Sequence, residues 1–411
     1  MRIAFVAPPF AGHLNPLIPL ALAARDAGHA VEVVTGARKV AVLAARGLAA
    51  RALATAGEDR LEAVANTARP VGNMPWKLLA QLRQNLALLP ALRAELIASW
   101  RGERPDLVVA DSVAVVAGLA AEELGIPWVT TIATPFVIEN RRGVPPYCGG
   151  WRPGGRWAAL RDACGRLAVR AVKRGIARRV RADLSRLGLP ALYRADGSEA
   201  VYSPRAILGF GIAELEFPRD WPPAFRMIGP VIASPEDCPP LAFPAGRRVL
   251  VTLGTHLLWA KDGLVEATRR LAENLPDVEL VVSLGQPERA GEPCARVANG
   301  VSVCPFVPYA RDLAAFDAVV HHGGAGVTYA AILHGKPSLV VPHDYDQFDF
   351  AARIEHHGLG RRARRLDARA LGAVLARKAW PELGAMQTAA QGYRPIEAFM
   401  RTVEAAAAER A

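Results

Sequence analysis

A short apolar run at 317–320 (Asp317-Ala318-Val319-Val320) leads into His321-His322-Gly323-Gly324-Ala325-Gly326, and a helix-forming stretch follows over 327–334. An apolar run of this length, closed by glycines and followed by a helical pattern, reads as a strand buried in a parallel sheet and the helix that crosses over it. The glycines let the backbone bend sharply and approach a ligand closely. The helix N-terminus behind them presents free N–H groups and a favourable dipole to an anion, and the two histidines add further donors.

The same unit recurs along the chain. Runs at 3–7, 31–35, 107–110 and 128–131 alternate with helical patterns at 16–27 and 115–124. The alternation restarts after Gly229-Pro230 with runs at 249–253, 278–284, 301–305 and 338–341. Alternating βα units predict an α/β chain of two Rossmann-like, doubly wound parallel-sheet domains, with ligands at the strand C-termini. A length of 411 residues fits two domains. The expected division is 1–212, a linker at 213–244 marked by Pro222-Pro223 and Pro239-Pro240, a second domain at 245–380, and a helical segment at 381–411 that packs back toward the first domain.

The run at 338–341 is followed by Pro342-His343-Asp344-Tyr345-Asp346-Gln347. A carboxylate beside an amide can hydrogen-bond vicinal hydroxyls. A diphosphate cradle and a hydroxyl reader on neighbouring strands point to a nucleotide-sugar site. In the first half, His13 lies in the loop after the first strand and Asp111 ends another strand on the same rim. A neutral imidazole backed by a carboxylate is a general base suited to neutral pH.

These residues in this order resemble the bacterial natural-product glycosyltransferases of the UDP-glycosyltransferase superfamily (glycosyltransferase family 1). The resemblance is carried by Gly12-His13-Leu14-Asn15-Pro16, 106–111, Gly125-Ile126-Pro127, Gly229-Pro230, Phe306-Val307-Pro308, the His-His-Gly-Gly-Ala-Gly run, Gly335-Lys336-Pro337 and Asp346-Gln347. It implies the GT-B fold, with the two domains facing across a cleft. It also implies inverting transfer of a hexose from a UDP- or dTDP-sugar to a hydroxyl of a hydrophobic small molecule. His13 would deprotonate the acceptor and Asp111 would hold its tautomer. On the donor side the resemblance assigns Gly254, Thr255, His322, Gly323, Gly324, Gly326 and the N–H of Val327 to the diphosphate. Phe306 and Val307 fall at the base, and Asp346 and Gln347 at the sugar.

Two positions depart from the family pattern. Val327 replaces a Ser or Thr whose hydroxyl would reach phosphate. Ala330 replaces a Glu that many UDP-sugar users direct at the ribose, which is compatible with a dTDP-sugar. The expected acceptor wall comprises Phe10, Gly12, Met74, Trp76, Phe136, Val137 and the loop 141–151. No metal-ligand spacing is recognised in the chain, so transfer is expected to need no metal and no further cofactor. It also lacks G-x-G-x-x-G after the first strand, which disfavours nicotinamide chemistry. Rival readings are a hydrolysing epimerase, a lipid or carotenoid glycosyltransferase, and a non-catalytic partner that activates another transferase.

The net charge of +11 is concentrated at 151–190, where eleven Arg or Lys face two Asp. Arg170, Lys173, Arg174, Arg178 and Arg181 are expected on one helix face, either solvated, folded onto acidic residues, or docking an anionic membrane. Aromatic residues do not interleave with this charge, which argues against nucleic acid. No apolar run of roughly 18 residues suggests a membrane span, and glycines and prolines interrupt the N-terminal segment too early for a signal peptide. Five cysteines without metal spacing predict a reducing cytosol and no structural disulfide. The protein is expected to be cytoplasmic, peripheral to the membrane in the docking alternative, and a monomer or homodimer.

Overall fold

The structure is a computed structural model that describes residues 1–55, 57, 75–233, 240–243, 245–344 and 346–408, without the side chains of 75–81. Seven parallel strands form the first sheet: β1 (Arg2–Val6), β2 (Ala30–Thr35), β3 (Ala49–Ala52), β4 (Leu107–Asp111), β5 (Trp128–Ile132), β6 (Ile207–Gly209) and β7 (Phe225–Met227). Their order is β3-β2-β1-β4-β5-β6-β7. The second sheet contains β8 (Arg247–Thr252), β9 (Val278–Ser283), β10 (Ala295–Ala298), β11 (Val301–Cys304), β12 (Ala318–His321), β13 (Ser338–Val340) and β14 (Gly360–Arg362). Its order is β10-β11-β9-β8-β12-β13-β14, parallel except at the β10–β11 pair. The helices needed below are α1 (Ala11–Asp26), α2 (Pro75–Gly102), α3 (Val115–Glu123), α4 (Ala158–Arg179), α5 (Ala325–Leu333), α6 (Gln347–His356), α7 (Pro381–Gly392) and α8 (Pro395–Ala408).

Central strands such as β4 and β5 are buried along their whole length, which is why they read as runs of apolar and β-branched residues. β3, β7, β10 and β14, which the sequence pattern does not announce, lie at sheet edges, are three or four residues long and carry arginines, from Arg51 to Arg362. An edge strand tolerates charge on its open side, so the apolar signal fades.

One of these edge strands overturns an expectation. β10 pairs with β11 so that Ala295 lies opposite Val303. Cys294 and Cys304 are therefore the next cross-strand neighbours, 4.2 Å apart at Cα, and they form a disulfide. A chain free of structural disulfides is thus not what the fold shows. Cys148 and Cys164 are unpaired, and Cys238 lies outside the described residues.

The two sheets share a core. Phe136, Ile212 and Leu215 of the first half pack with Tyr329, Ile332, Phe350 and Ile354 of the second. At its edge Arg353 of α6 donates from Nη2 to Glu216 Oε2 at 2.8 Å, and both side chains are buried. The guanidinium lies 4.2 Å from the Phe136 ring centroid and 4.6 Å from that of Phe217. Helix α8 returns to the first sheet, where Phe399 sits 5.7 Å from Phe5. Between α7 and α8, Tyr393 accepts from the Ala213 N–H and donates to Glu214. Its ring also covers Gly229, whose φ of +105° and lack of room for a Cβ require glycine.

Helix α4 lies differently from the basic face expected of it. Arg170 donates to Glu139 at 3.1 Å, Lys173 donates to Glu199 at 2.5 Å, and Arg174 stacks over Tyr193. Three of the five expected surface charges are thus engaged with groups of the same domain. Val172, at an apolar position of the same helix, is exposed. No described helix is long and apolar enough to cross a membrane.

Candidate functional site

The C-terminal ends of the two sheets face each other, and both halves of the expected chemistry lie there. Helix α1 starts at Ala11, earlier than the sequence suggests, so His13 occupies its first turn and not a loop. Its Nδ1 lies 3.1 Å from Oδ2 and 2.9 Å from Oδ1 of Asp111. Asp111 ends β4, is buried, and also accepts the Val113 N–H at 2.8 Å. With Nδ1–H directed at Asp111, Nε2 carries the free lone pair. Burial pulls the His13 pKa down, but the charge and hydrogen bond of Asp111 and the charge of Asp346 outweigh it, and the pKa stands above the ordinary value. Asp346 belongs to the other half of the molecule, so the His13 imidazole feels a carboxylate from across the cleft directly. Burial and then Asp349 raise Asp346 to about 6, while His13 holds it lower.

On the donor side, β12 ends at His321 and α5 begins after Gly324. Gly323 has φ of +97°, and a Cβ there would stand 2.8 Å from the Gln347 carbonyl. A Cβ on Gly324 would collide with the His322 ring, and one on Gly254 would come within 2.9 Å of it. The two glycines therefore flank the imidazole. Gly326 is exposed, with no atom near its Cβ direction, so the helix N-terminus is open. His321 is spent on structure, its Nδ1 accepting the Gly323 N–H at 3.1 Å.

The cradle is electropositive by composition. Burial, then His321, His343, His256 and Lys261, drive His322 well below the ordinary histidine value. Its Nδ1 is buried without a partner in the protein. Burial, with the nearby charges of His13, Lys261 and Lys39, takes His256 to about 4, and burial takes Lys261 to about 8. His322 is thus a neutral donor, not the charged one that an anion site suggests. A diphosphate would offset the crowded positive charge and raise these values. Binding of dTDP or UDP at about pH 8, where Lys261 is half deprotonated, should then take up protons. Affinity should be full below about pH 8 and decline as Lys261 deprotonates above it. Calorimetry in buffers of different ionisation enthalpy measures the uptake, and a buffer-independent enthalpy would refute it.

The remaining expected donor residues occupy varied positions. Thr255 is half-buried in the loop after β8, its hydroxyl 3.2 Å from His256 Nδ1. Phe306 is half-buried beyond β11, while Val307 is fully buried and its N–H donates to Ser283 Oγ at 3.3 Å, leaving the carbonyl. Gln347 Oε1 accepts the N–H groups of His343 and Asp344, so only its NH₂ remains for a ligand. Val327 corrects the idea of a missing phosphate hydroxyl. Its side chain is buried among Leu250, Val307, Phe316 and Ala330, turned into the core. Val327→Ser should therefore lower stability by about 1–3 kcal/mol in denaturant unfolding, with dTDP affinity unchanged. Ala330 is fully buried in the same cluster, so no ribose reader projects from it.

The acceptor wall is revised more heavily. Phe10 is buried but borders the cleft, its ring edge-on to His13 at 6.3 Å and to His256 at 5.7 Å. Gly12 is exposed in the first turn of α1. Phe136 is 1 % exposed, sandwiched between Phe350 and Arg353, and has no surface left for a ligand. Val137 packs partly buried beside it. Met74 lies outside the described residues, and so does the side chain of Trp76 in α2.

His256, Lys261 and Trp259 are the site residues that motif reading misses. All follow β8, His256 in the loop where Thr255 was noticed and Trp259 and Lys261 in the short helix Leu258–Lys261 behind it, and a lysine and a histidine next to a glycine-ended strand were the available signal. Lys261 Nζ donates to the Leu284 carbonyl at 2.8 Å, and Trp259 meets the His343 ring at 5.8 Å. Among the described residues no group of three or more His, Cys, Asp or Glu is placed to hold a metal ion.

Comparison with known proteins agrees with this architecture. Residues 269–383 match a family model described as Erythromycin biosynthesis protein CIII-like, C-terminal domain. The chain is 30% identical over 374 residues to 4'-demethylrebeccamycin synthase of Lentzea aerocolonigenes, covering 87% of this chain and 86% of that one. It is 28% identical over 378 residues to L-demethylnoviosyl transferase of Streptomyces niveus, covering 88% and 84%. Among solved structures, the glycotransferase of kitacinnamycin superposes with a TM-score of 0.71 at 23% identity, over 100% of this chain and 98% of that one. The Streptomyces sp. SF2575 glycosyltransferase SsfS6, complexed with thymidine diphosphate, gives a TM-score of 0.67 at 21% identity, over 98% and 99%.

Proposed function

We propose, from the premise that this chain belongs to the natural-product glycosyltransferases and has their GT-B fold, that it transfers a hexose with inversion from a UDP- or dTDP-sugar to a hydroxyl of a hydrophobic small molecule. The observation that carries this reading is the His13–Asp111 pair, within electrostatic reach of Asp346 across the cleft. His13 Nε2 takes the proton of the acceptor hydroxyl as its oxygen attacks the anomeric carbon. Asp111 holds Nδ1–H and offsets the imidazolium that forms. The bond from the anomeric carbon to the diphosphate oxygen breaks, and the nucleoside diphosphate leaves with the electron pair.

The growing negative charge is met by His322, the Lys261 ammonium and the open N-terminus of α5. These donors supply the charge stabilisation without assistance from an ion. Asp346 and the Gln347 amide are the hydroxyl readers of the sugar. The thymidine diphosphate found in a structural relative favours a dTDP-sugar. His322→Ala should weaken dTDP binding by roughly 10–100-fold, the worth of a buried hydrogen bond to a charged group; an unchanged Kd by calorimetry would make His322 a packing residue. The reading as a whole is tested with a panel of nucleotide sugars and aglycones analysed by mass spectrometry. Acceptor-dependent gain of one hexose supports it, and turnover of the nucleotide sugar without acceptor replaces it with hydrolytic or epimerase chemistry.

A further inference from the structure

Helix α4 is turned inside out relative to an ordinary surface helix. Its inward side carries Asp162, Arg170 and Lys173, with Glu139 and Glu199 receiving the two cations. Its outward side carries Leu160, Cys164, Leu167 and Ala171, with Trp157 preceding it, spaced three or four residues apart. Trp157, Leu160, Leu167 and Val172 are 64%, 60%, 71% and 61% exposed. At 1.5 Å per residue, the stripe from 157 to 171 forms a convex ridge about 20 Å long. Large apolar side chains kept on a convex ridge are unusual for a surface that only meets water.

The charge around this ridge selects its occupant. Arg156 lies over the Trp157 ring at 5.2 Å at one end. At the other end Arg178, Arg179 and Arg181 are exposed and have no carboxylate within ion-pair distance among the described residues. A second copy laid parallel on the ridge would set Arg178, Arg179 and Arg181 against one another, and one laid antiparallel would set them against Arg156, so charge opposes self-association in either arrangement. An anionic bilayer surface meets both requirements. It accepts a convex apolar ridge at the boundary of the acyl chains, keeps an indole at the interface, and pairs guanidinium groups with phosphates. We infer that the outward face of α4, from Trp157 to Arg181, docks this protein on the surface of an anionic lipid bilayer.

The test is flotation of the full-length protein with vesicles of phosphatidylcholine alone and of phosphatidylcholine mixed with phosphatidylglycerol, at low and high salt. The expected result is flotation with the anionic vesicles at low salt, and at least about tenfold weaker partition with neutral vesicles or at high salt. Leu160→Glu with Leu167→Glu, and separately Arg178→Ala with Arg179→Ala and Arg181→Ala, should each lower partition about tenfold or more. Circular dichroism and dTDP affinity should not change, because these side chains lie outside the core and the donor cradle. The inference is overturned if the protein fails to float, floats equally with both lipids, or floats undiminished in the leucine variant. It is also overturned if flotation is absent and the leucine variant converts a dimer into a monomer, which would make the ridge a protein interface.

Discussion

Replacing His13 by alanine is expected to lower kcat/KM for transfer to a hydroxyl acceptor by roughly 10²–10⁴-fold, with dTDP affinity nearly unchanged. The split follows from position. His13 stands on the first half of the molecule, with Nδ1 on Asp111, whereas the proposed diphosphate cradle lies at the ends of β8 and β12 and the start of α5. The pH profile adds a second criterion. The imidazole works only when neutral, and its pKa is raised above the usual value, so kcat/KM should climb with pH through a limb above about 6.5. Asp111→Asn removes the charge that raises it, so the limb should shift to lower pH while the rate falls. Equal kcat/KM in wild type and His13→Ala would remove the general-base role, and an unshifted limb in Asp111→Asn would detach Asp111 from it.

The second large effect is on stability. Arg353→Ala should destabilise the protein by about 3–5 kcal/mol, because it takes from the buried Glu216 carboxylate its hydrogen-bonded counter-charge. The loss of the guanidinium between Phe136 and Phe217 adds to this. Arg219 interacts with Glu216 through space, but its Nη groups already donate to the Phe136 and Ile138 carbonyls, so it can offset the stranded carboxylate only in part. Arg353→Met combined with Glu216→Leu removes both charges and should recover most of the loss. Urea unfolding followed by tryptophan fluorescence measures both variants. A change below about 1 kcal/mol in the single variant would show that water reaches the pair and that it does not join the two halves.

The central strands and the glycine-rich turn were legible because their signals are local. β4, β5, β9 and β12 are built mostly from apolar and β-branched residues, since each is covered on both faces. His321 to Gly326 is recognisable because a strand-to-helix turn against an anion leaves few alternatives to glycine. The short edge strands were not legible, since arginines suit an open edge as well as they suit a loop. Missing β10 meant missing the Cys294–Cys304 bond, which exists only because a hairpin sets the two residues opposite each other.

What this sequence determined by itself is the alternation of buried strands and helices, the glycine turn, and the residue types that serve a base and a cradle. Tertiary structure alone decided which way side chains face. Val327 and Ala330 point into the core, and Phe136 is enclosed between the two halves. Arg170 and Lys173 turn inward while Leu160 and Leu167 turn out, because Glu139 and Glu199 lie beneath the helix. His256 and Lys261 join the cradle because the loop after β8 folds over it. The physical reason is the range of the interactions. Periodicity and turn chemistry act between residues a few positions apart. His13 meets Asp111 across 98 positions and Arg353 meets Glu216 across 137, and only closure of both sheets brings such partners together.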